Sequence, residues 1–262
     1  MENLIILIPV AIDNEKRQRN LDFVKQYYEN YNVSILQQDC SNYFHKAKIC
    51  NDAYKKNKDK VIFMCDVDCI VSHDNIKKGY ELILNNNNTL VYPFDKVDYI
   101  DPEEYHDSID DYRNYLVHRT IENFPKKLTL HKMLDYIIGY SDAVTNLDYN
   151  FTDNGYSKPL GFGFMFKFSA YNRVGLDNQH MLDYNFEDLE RYERCKKMNF
   201  NIEHISGTAY HMDHSNGIDW GAKVRSNKSF IKQNVFEYLK IINLNKTELE
   251  SYIKSWPWIQ KC

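Results

Sequence analysis

Residues 61–71, VIFMCDVDCIV, decide the fold that this sequence predicts. The apolar run at 61–65 predicts a buried β-strand that ends on two carboxylates, Asp66 and Asp68, before apolar sequence resumes at 69. Carboxylates inside so apolar a stretch are costly to desolvate unless a charged group meets them. A divalent cation such as Mn²⁺ or Mg²⁺, bound to the diphosphate of a nucleotide, is one such partner. The alternative is a strand-end turn in which both acids are solvated.

Strands and helices alternate around this segment. Apolar runs predict strands at 4–10, 33–37, 61–66 and 89–94, and helical spacing predicts helices at 15–31 and 43–57. This order is typical of an α/β protein with a mainly parallel sheet flanked by helices. Ligands of such sheets bind beyond the carboxyl ends of the strands. Asp39 and Asp66, which follow the second and third predicted strands, are therefore expected near the binding edge.

The second half of the chain has a weaker pattern. It predicts helices at 108–122 and 129–139, a loop at 141–158, a strand at 161–168, a helix at 186–199, a strand at 201–211, and helices at 228–241 and 246–254.

Composition narrows the class of protein. The 262 residues are 43 % hydrophobic, which is ample for a core, and the formal net charge of −4 argues against a nucleic-acid partner. The apolar run at 4–10 is too short to span a membrane and lacks the features of a signal peptide, so we expect a cytoplasmic protein without a membrane span. None of the six cysteines forms a Cys-x-x-Cys pair, and free thiols are expected.

Four further residues could contribute to the predicted site. His211 and His214 are close enough in sequence to reach one ion together with Asp68, although such a pair is more often structural or solvent-exposed. Glu187 and Asp188 begin a predicted helix, where acids stabilise the helix dipole. Alternatively, a carboxylate at this position is a general base. The sequence alone leaves both alternatives open.

Basic residues near the predicted edge are equally ambiguous. Lys48 and Arg17 are either solvated helix residues or partners of a phosphate group.

Seven segments, in this order, resemble the GT-A fold glycosyltransferases of the β-1,4-galactosyltransferase group, whose C-terminal half is shared with the polypeptide N-acetylgalactosaminyltransferases. The segments are LIPV at 7–10, FHKAKICN at 44–51, DVD at 66–68, YPFDK at 92–96, GFG at 161–163, FED at 186–188 and HMDHS at 211–215. The resemblance implies a GT-A (Rossmann-like), mixed, mainly parallel sheet. It also implies an inverting, Mn²⁺- or Mg²⁺-dependent glycosyltransferase that moves a sugar from a nucleotide sugar, with a UDP-sugar as the expected donor, to a hydroxyl of a glycan or protein.

The resemblance also assigns roles to residues. Asp68, His214 and His211 would bind the metal, Asp188 would be the base, and Glu187 would help to hold the acceptor. The donor nucleotide would contact Pro9, Val10, Arg17, Asp39, Lys48, Asp66, Val67 and Gly163.

The chain departs from the family pattern in two places. Ala11 stands where the family has an arginine, and Arg17 is the candidate to replace it. LDYNF at 182–186 replaces the family's Trp-Gly-Trp-Gly-Gly, so the identity of the donor sugar does not transfer. Residues 95–158 have no counterpart and are expected to carry acceptor selectivity.

We expect one domain over 1–262, with a nucleotide-sugar-binding half at 1–98, an acceptor-binding and catalytic half at 99–215, and a helical extension at 216–262. The sequence leaves two alternatives: a catalytically degenerate glycan-binding module of the same fold, or a glycosyltransferase that acts on nucleic acid. A nucleotidyltransferase is weaker, because residues 10–17 lack the glycines of a phosphate-binding loop.

Overall fold

The computed structural model of this protein describes residues 1–12, 14–38, 44–100, 158–182, 186–212 and 228–259. The strands are β1 (Leu4–Val10), β2 (Val33–Gln37), β3 (Val61–Cys65), β4 (Cys69–Val71), β5 (Thr89–Tyr92), β6 (Lys96–Ile100), β7 (Gly163–Lys167), β8 (Asn201–His204) and β9 (Thr208–Met212). The helices are α1 (Glu15–Tyr27), α2 (Lys46–Lys56), α3 (His73–Asn85), α4 (Phe168–Arg173), α5 (Glu187–Lys197), α6 (Lys228–Asn243) and α7 (Lys246–Lys254).

A six-stranded sheet in the order β2-β1-β3-β7-β5-β8 forms the centre of the fold. β1 is parallel to β2 and β3, and β5 is parallel to β8, whereas β7 runs antiparallel between β3 and β5. Every residue of β1 and β3 is buried, because the sheet is covered on both faces. That is why these strands are continuous apolar runs rather than alternating ones. The predicted mixed, mainly parallel α/β sheet is confirmed.

A second, three-stranded sheet has the order β4-β9-β6. The prediction of one strand at 201–211 is wrong, because the segment divides between the two sheets. The Ile205 N–H donates to the Tyr92 carbonyl (3.0 Å), after which Gly207 adopts a positive φ of 150° and its N–H donates to Asp95 Oδ1 (2.9 Å). The chain leaves β5 at this point and pairs with β4 and β6 instead.

Four elements were missed by the sequence pattern: β4, α3, β6 and α4. The predicted helices at 108–122 and 129–139, and the predicted loop at 141–158 apart from Lys158, lie outside the described residues. Elsewhere the predicted elements are present, with ends that differ by a few residues. Cys50, Cys65, Cys69 and Cys195 are buried free thiols, as expected. Within the described ranges, no helix combines the length and the apolar composition that a membrane-spanning segment requires.

The C-terminal helices share the core of the sheet. Val235 and Leu239 of α6 are buried in the same hydrophobic cluster as Leu7 and Phe164. The Lys197 ammonium at the end of α5 donates to the carbonyls of Ile241 (3.0 Å) and Leu244 (2.7 Å) at the end of α6. A cation at a helix C-terminus satisfies carbonyls that have no partner within the helix.

Arg194, paired with Glu190 inside α5, connects α5 to the segment that follows α4. Arg194 Nε donates to Glu190 Oε1 (2.6 Å), and its Nη1 donates to the Val174 carbonyl. Next in the chain, Gly175 has a φ of +98° and accepts a hydrogen bond from Trp258 Nε1 (3.0 Å). The helix that carries Glu187 and Asp188 is thus held by both the loop and the C-terminal segment.

Gly175→Ala should lower the free energy of unfolding by about 2–4 kcal/mol. A Cβ at this positive φ would overlap the ring of Trp256 and lie 3.0 Å from Ile253 Cγ2. Denaturant unfolding measures the loss. Gly79→Ala is the matched control: its Cβ would overlap only the flexible side chain of Met165, at 2.6 Å from Sδ, and would make ordinary contacts with Val91 (3.4 Å) and Ile205 (3.5 Å). Alanine also favours the helix by about 1 kcal/mol. Equal losses in the two variants would contradict the packing of Trp256.

Candidate functional site

A tight turn places the two aspartates at the carboxyl end of β3. The Asp66 N–H donates to the Phe162 carbonyl (3.0 Å), and the Cys69 N–H donates to the Asp66 carbonyl (3.1 Å), which closes the turn over 66–69. Val67, at the centre of the turn, is buried in the hydrophobic core. Asp66 and Asp68 are thereby held on a fixed backbone.

Lys46, the first residue of α2, lies at the centre of the site. Its Nζ is 2.5 Å from Asp66 Oδ1. Burial alone would lower the pKa of Lys46, but the negative charges of Asp66, Asp188 and Glu187 raise it instead. Burial in turn acts to raise the pKa of Asp66, and the ammonium of Lys46 outweighs that effect and lowers it. One lysine therefore compensates carboxylates from β3 and α5 at once.

Asp68 is buried, with 6 % of its surface exposed, and contacts two cationic or ligand-type side chains. Its Oδ1 is 3.7 Å from His211 Nε2, and its Oδ2 is 3.7 Å from Arg17 Nη1. The antiparallel register of β4 with β9 pairs Cys69 with His211 and thus brings the imidazole to Asp68. Arg17 is placed by the first turn of α1, where its N–H donates to the capping side chain of Asn14 (2.9 Å).

The Asp68–His211 pair fits a divalent cation. A carboxylate oxygen and an imidazole nitrogen 3.7 Å apart can both bind one ion at metal–ligand distances of about 2.0–2.2 Å. Over the residues that the structure describes, no three histidine, cysteine or acidic side chains are grouped so as to hold a metal. His214, the predicted additional ligand, lies outside those residues.

Two glycines allow the chain to pass close to the acids. A Cβ on Gly163 would lie 3.0 Å from the Met64 carbonyl oxygen, where β7 pairs with the end of β3. A Cβ on Gly161 would lie 2.7 Å from Asp188 Oδ2. The missing side chain at Gly161 therefore lets the loop backbone lie close to Oδ2, while the Asp188 side chain stays 32 % exposed.

Glu187 and Asp188 begin α5, directly after Phe186 in a left-handed conformation (φ 65°). Asp188 Oδ1 forms an ion pair with Arg191, whose guanidinium lies over the Phe164 ring, 3.8 Å from its centroid. Burial, and then the neighbouring charge of Asp188, raise the pKa of Glu187 to about 7. The two acids differ in environment: Asp188 is paired with a cation, whereas Glu187 changes charge near neutral pH.

The structure brings most of the predicted site residues to one edge of the sheet and leaves others apart. Arg17, Asp66, Asp68, Gly163, Glu187, Asp188 and His211 are gathered in the contacts described above. Pro9 and Val10 end β1 at the same edge. Lys48 is on the exposed side of α2, and Asp39 lies outside the described residues.

Two site residues were missed by sequence reasoning. Both Lys46 and Lys48 lie in the segment FHKAKICN, and the sequence predicts Lys48 as the phosphate partner. A signal was available, because Lys46 is the first position of the helix, nearest the sheet edge. Nothing in the sequence indicates that Arg191 belongs to the site, since an arginine in the second turn of a charged helix is usually solvated.

Comparisons with known proteins place the fold. No protein-family profile and no curated protein matches the chain by sequence. Glucosyl-3-phosphoglycerate synthase from Mycobacterium tuberculosis, solved with Mn²⁺, UDP-glucose and phosphoglyceric acid, is similar in structure: 9 % identity over 91 % of this chain and 80 % of that chain, with a TM-score of 0.53. S. aureus TarS with UDP-GlcNAc matches at 11 % identity over 96 % of this chain and 70 % of that chain, with a TM-score of 0.49.

GalNAc-T7 with UDP, GalNAc and Mn²⁺ matches at 10 % identity over 83 % of this chain, with a TM-score of 0.45. The chain spans 45 % of the GalNAc-T7 chain and 65 % of a Drosophila β1,4-galactosyltransferase 7 structure. The fold assignment rests on the mycobacterial structure. This chain has the GT-A fold, as the resemblance of its sequence segments predicted.

The raised pKa of Glu187 predicts a pH-dependent stability. Between the ordinary value of 4.5 and the folded value of about 7, the folded state binds more protons than the unfolded state. The free energy of unfolding should therefore decrease as pH rises through this window, by about 1–2 kcal/mol after allowance for partial exposure. Glu187→Gln removes this contribution and flattens the dependence, which thermal unfolding from pH 4.5 to 7.5 measures.

Glu193→Gln, on the same helix, serves as the control and should keep the wild-type dependence. A wild-type slope that survives in Glu187→Gln would show that another group causes it.

Proposed function

We propose that the protein is an inverting, metal-dependent glycosyltransferase that moves a sugar from a nucleotide sugar, a UDP-sugar, to a hydroxyl of a glycan or protein acceptor. The observation that carries the proposal is the meeting of Asp66, Asp68, Lys46 and the Glu187–Asp188 pair at the carboxyl edge of a GT-A sheet. Ligands of open α/β sheets bind at this edge. The mycobacterial structure of the same fold contains Mn²⁺ and UDP-glucose, which supports this choice of donor and metal.

Asp68 and His211 are the proposed metal ligands, with His214 as a third. When bound, Mn²⁺ or Mg²⁺ would neutralise charge on the diphosphate leaving group. Arg17, 3.7 Å from Asp68, adds a positive charge on the same side of the site, where it can bind phosphate oxygens. Pro9, Val10, Val67 and Gly163 would shape the nucleotide pocket by their backbone, and Asp39 and Lys48 complete the proposed donor contacts.

Lys46 keeps Asp66 ionised and in place, since the two side chains are 2.5 Å apart. An ionised Asp66 can accept hydrogen bonds from the hydroxyl or N–H groups of a nucleoside. Lys46 thereby orients a donor-binding group rather than serving as a surface charge.

Asp188 is the proposed general base. Arg191 holds its Oδ1, whereas Oδ2 lies beside the backbone of Gly161, and the 32 % exposed side chain leaves space on its solvent side for an acceptor. An acceptor hydroxyl in this space would give its proton to Oδ2 as its oxygen attacks the anomeric carbon of the donor sugar. The bond from that carbon to the diphosphate oxygen breaks as the new bond forms, so the configuration inverts. Glu187 would help to hold the acceptor.

We propose that three consecutive parts of the chain have different roles. Residues 1–98 would bind the nucleotide sugar, residues 99–215 would bind the acceptor and carry out catalysis, and residues 216–262 would support α5. Acceptor selectivity is proposed for residues 95–158, which have no counterpart in the resembled family.

The first experiment is thermal unfolding with a panel of nucleotide sugars, each with and without Mn²⁺. A UDP-sugar at 100 times its Kd should stabilise the protein by about 2.7 kcal/mol, and only when metal is present. Asp68→Asn should abolish the metal-dependent part, because it removes a charged ligand without changing side-chain size. Asp74→Asn, an exposed acid in the first turn of α3, is the control and should retain the full effect.

No response to any nucleotide sugar or free nucleotide by the folded protein would contradict the proposal. Such a result would favour the glycan-binding module instead.

Asp188→Asn tests the base directly. Transfer should fall by about 10²–10⁴-fold, the usual contribution of general base catalysis, because the amide cannot accept the hydroxyl proton. Binding of the nucleotide sugar, measured by the same thermal shift, should be preserved. Near-normal turnover in Asp188→Asn would remove Asp188 from the role of base.

A further inference from the structure

Two buried polar atoms beside Asp188 make no hydrogen bond within the described part of the chain. They are the hydroxyl of Tyr92, at the end of β5, and Nε of Arg191. Tyr92 is 0 % exposed and Arg191 is 3 % exposed, so solvent does not satisfy either atom. A buried polar atom without a partner is destabilising, and most proteins contain few of them.

The two atoms are chemically complementary. Arg191 Nε is a donor only, and the phenolic oxygen of Tyr92 can accept a hydrogen bond. The groups are neighbours: the antiparallel register that pairs Val91 with Met165 places Tyr92 beside Phe164, and the Arg191 guanidinium lies 3.8 Å from the centroid of the Phe164 ring. The Tyr92 ring is held by a stack on His204, with centroids 4.7 Å apart. The hydroxyl therefore has a fixed position, and any movement that joins the atoms belongs to Arg191.

Arg191 is engaged elsewhere in the structure. Its Nη2 forms the ion pair with Asp188 Oδ1, and its guanidinium lies over the Phe164 ring, 3.8 Å from the centroid. The contact with the ring contains no directional hydrogen bond that a movement of Arg191 would break. The attraction of Arg191 to Asp188 depends on the negative charge of the carboxylate, and that charge disappears when Asp188 takes up a proton.

We propose that Tyr92 is a positioning residue that accepts a hydrogen bond from Arg191 Nε when Asp188 is protonated. This inference rests on the proposed function, in which Asp188 is the base. The acceptor hydroxyl loses its proton to Asp188 Oδ2, the carboxylate becomes neutral, and Arg191 shifts from Oδ1 to the Tyr92 oxygen. Release of the proton to solvent restores the Arg191–Asp188 pair.

Tyr92 thus stabilises the state in which the base holds a proton. Without the Tyr92 hydroxyl, Arg191 would stay beside Asp188 throughout the reaction. Its positive charge would then continue to disfavour the protonated form of Asp188. Other charged or titratable groups also act on this pair: Lys46, Glu187, Asp66, Tyr171 and Asp177. All of these groups remain in a Tyr92→Phe variant, so a change in its behaviour reports the effect of the Tyr92 hydroxyl alone.

The catalytic test compares Tyr92→Phe with the wild type. We expect kcat to fall by about tenfold, the effect of one lost hydrogen bond to a charged group, while KM for the nucleotide sugar stays unchanged. The acidic limb of the kcat profile should move to lower pH, because Asp188 becomes a weaker proton acceptor.

The matched control is Tyr171→Phe, which removes another buried hydroxyl near Arg191, one that donates to Asp177 Oδ1 (2.7 Å). It should lower the Tm and leave kcat and the pH profile unchanged. A wild-type kcat and pH profile in Tyr92→Phe would overturn the proposal.

A second test needs no activity and separates this inference from the proposed function. Asp188→Asn imitates the neutral carboxyl, so Arg191 should then depend on Tyr92. Tyr92→Phe should leave the Tm of the wild-type protein unchanged or raise it, since an unpaired hydroxyl is removed. In the Asp188→Asn background the same substitution should lower the Tm by about 2–4 °C. Additive effects across this double-mutant cycle would refute the shift of Arg191, whether or not the protein transfers sugars.

Discussion

The ion pair between Lys46 and Asp66 joins the start of α2 to the end of β3, and the rest of the site is arranged around it. Three carboxylates, from Asp66, Glu187 and Asp188, act on this one ammonium group. Gathering acids at a partly buried sheet edge is unfavourable unless cations accompany them, and removal of one partner from such a group is strongly destabilising. Lys46, and Arg191 beside Asp188, provide that compensation from within the protein. The site can therefore keep its acids together before any ligand is bound.

Strand β7 connects the two groups of acids. It enters the sheet antiparallel between β3 and β5, and its register places Gly163 opposite Cys65, one residue before Asp66. The loop that precedes it reaches Asp188 at Gly161, where a side chain would collide with the carboxylate. Glycine is required at 161 and 163 because the backbone there lies too close to Asp188 and to the Met64 carbonyl to leave room for a side chain. Helix α5 is fixed from its other end by Arg194, which donates to the Val174 carbonyl, and by Lys197, which donates to the Ile241 carbonyl of α6. The acids at its start are thus held by the sheet and by the elements packed around the end of α5.

Asp188 and Glu187, the two neighbouring acids of α5, differ in their surroundings and therefore in their chemical properties. Asp188 is held by Arg191 and keeps 32 % of its side chain exposed, which suits a group that exchanges a proton with a substrate. Glu187 has a pKa raised to about 7 by burial and by Asp188, so its charge is sensitive to conditions near neutrality. Acid and base roles are commonly separated in this way, by different surroundings of adjacent carboxyl groups. The Tyr92 hydroxyl, which finds no hydrogen-bond partner among the described residues, is a third group whose surroundings bear on Asp188.

The sequence by itself determined the buried strands, the α/β order and the position of Asp66 and Asp68 at a strand end, because these depend on local apolar runs and on the breaks between them. It also predicted Gly163, Glu187, Asp188 and His211 as site residues through their resemblance to known segments. It misassigned residues 201–211, since the division between two sheets depends on pairing with β4 and β6, which are distant in sequence. Only the tertiary structure decided that Lys46 rather than Lys48 meets Asp66, and that Arg191 and Tyr92 lie beside Asp188. Lys46 and Asp66 are 20 positions apart, and Tyr92 and Asp188 are 96 apart, so no local periodicity records their proximity. Arg191 and Asp188 are only three apart, but the burial of Arg191 against Phe164 depends on how α5 packs on the sheet.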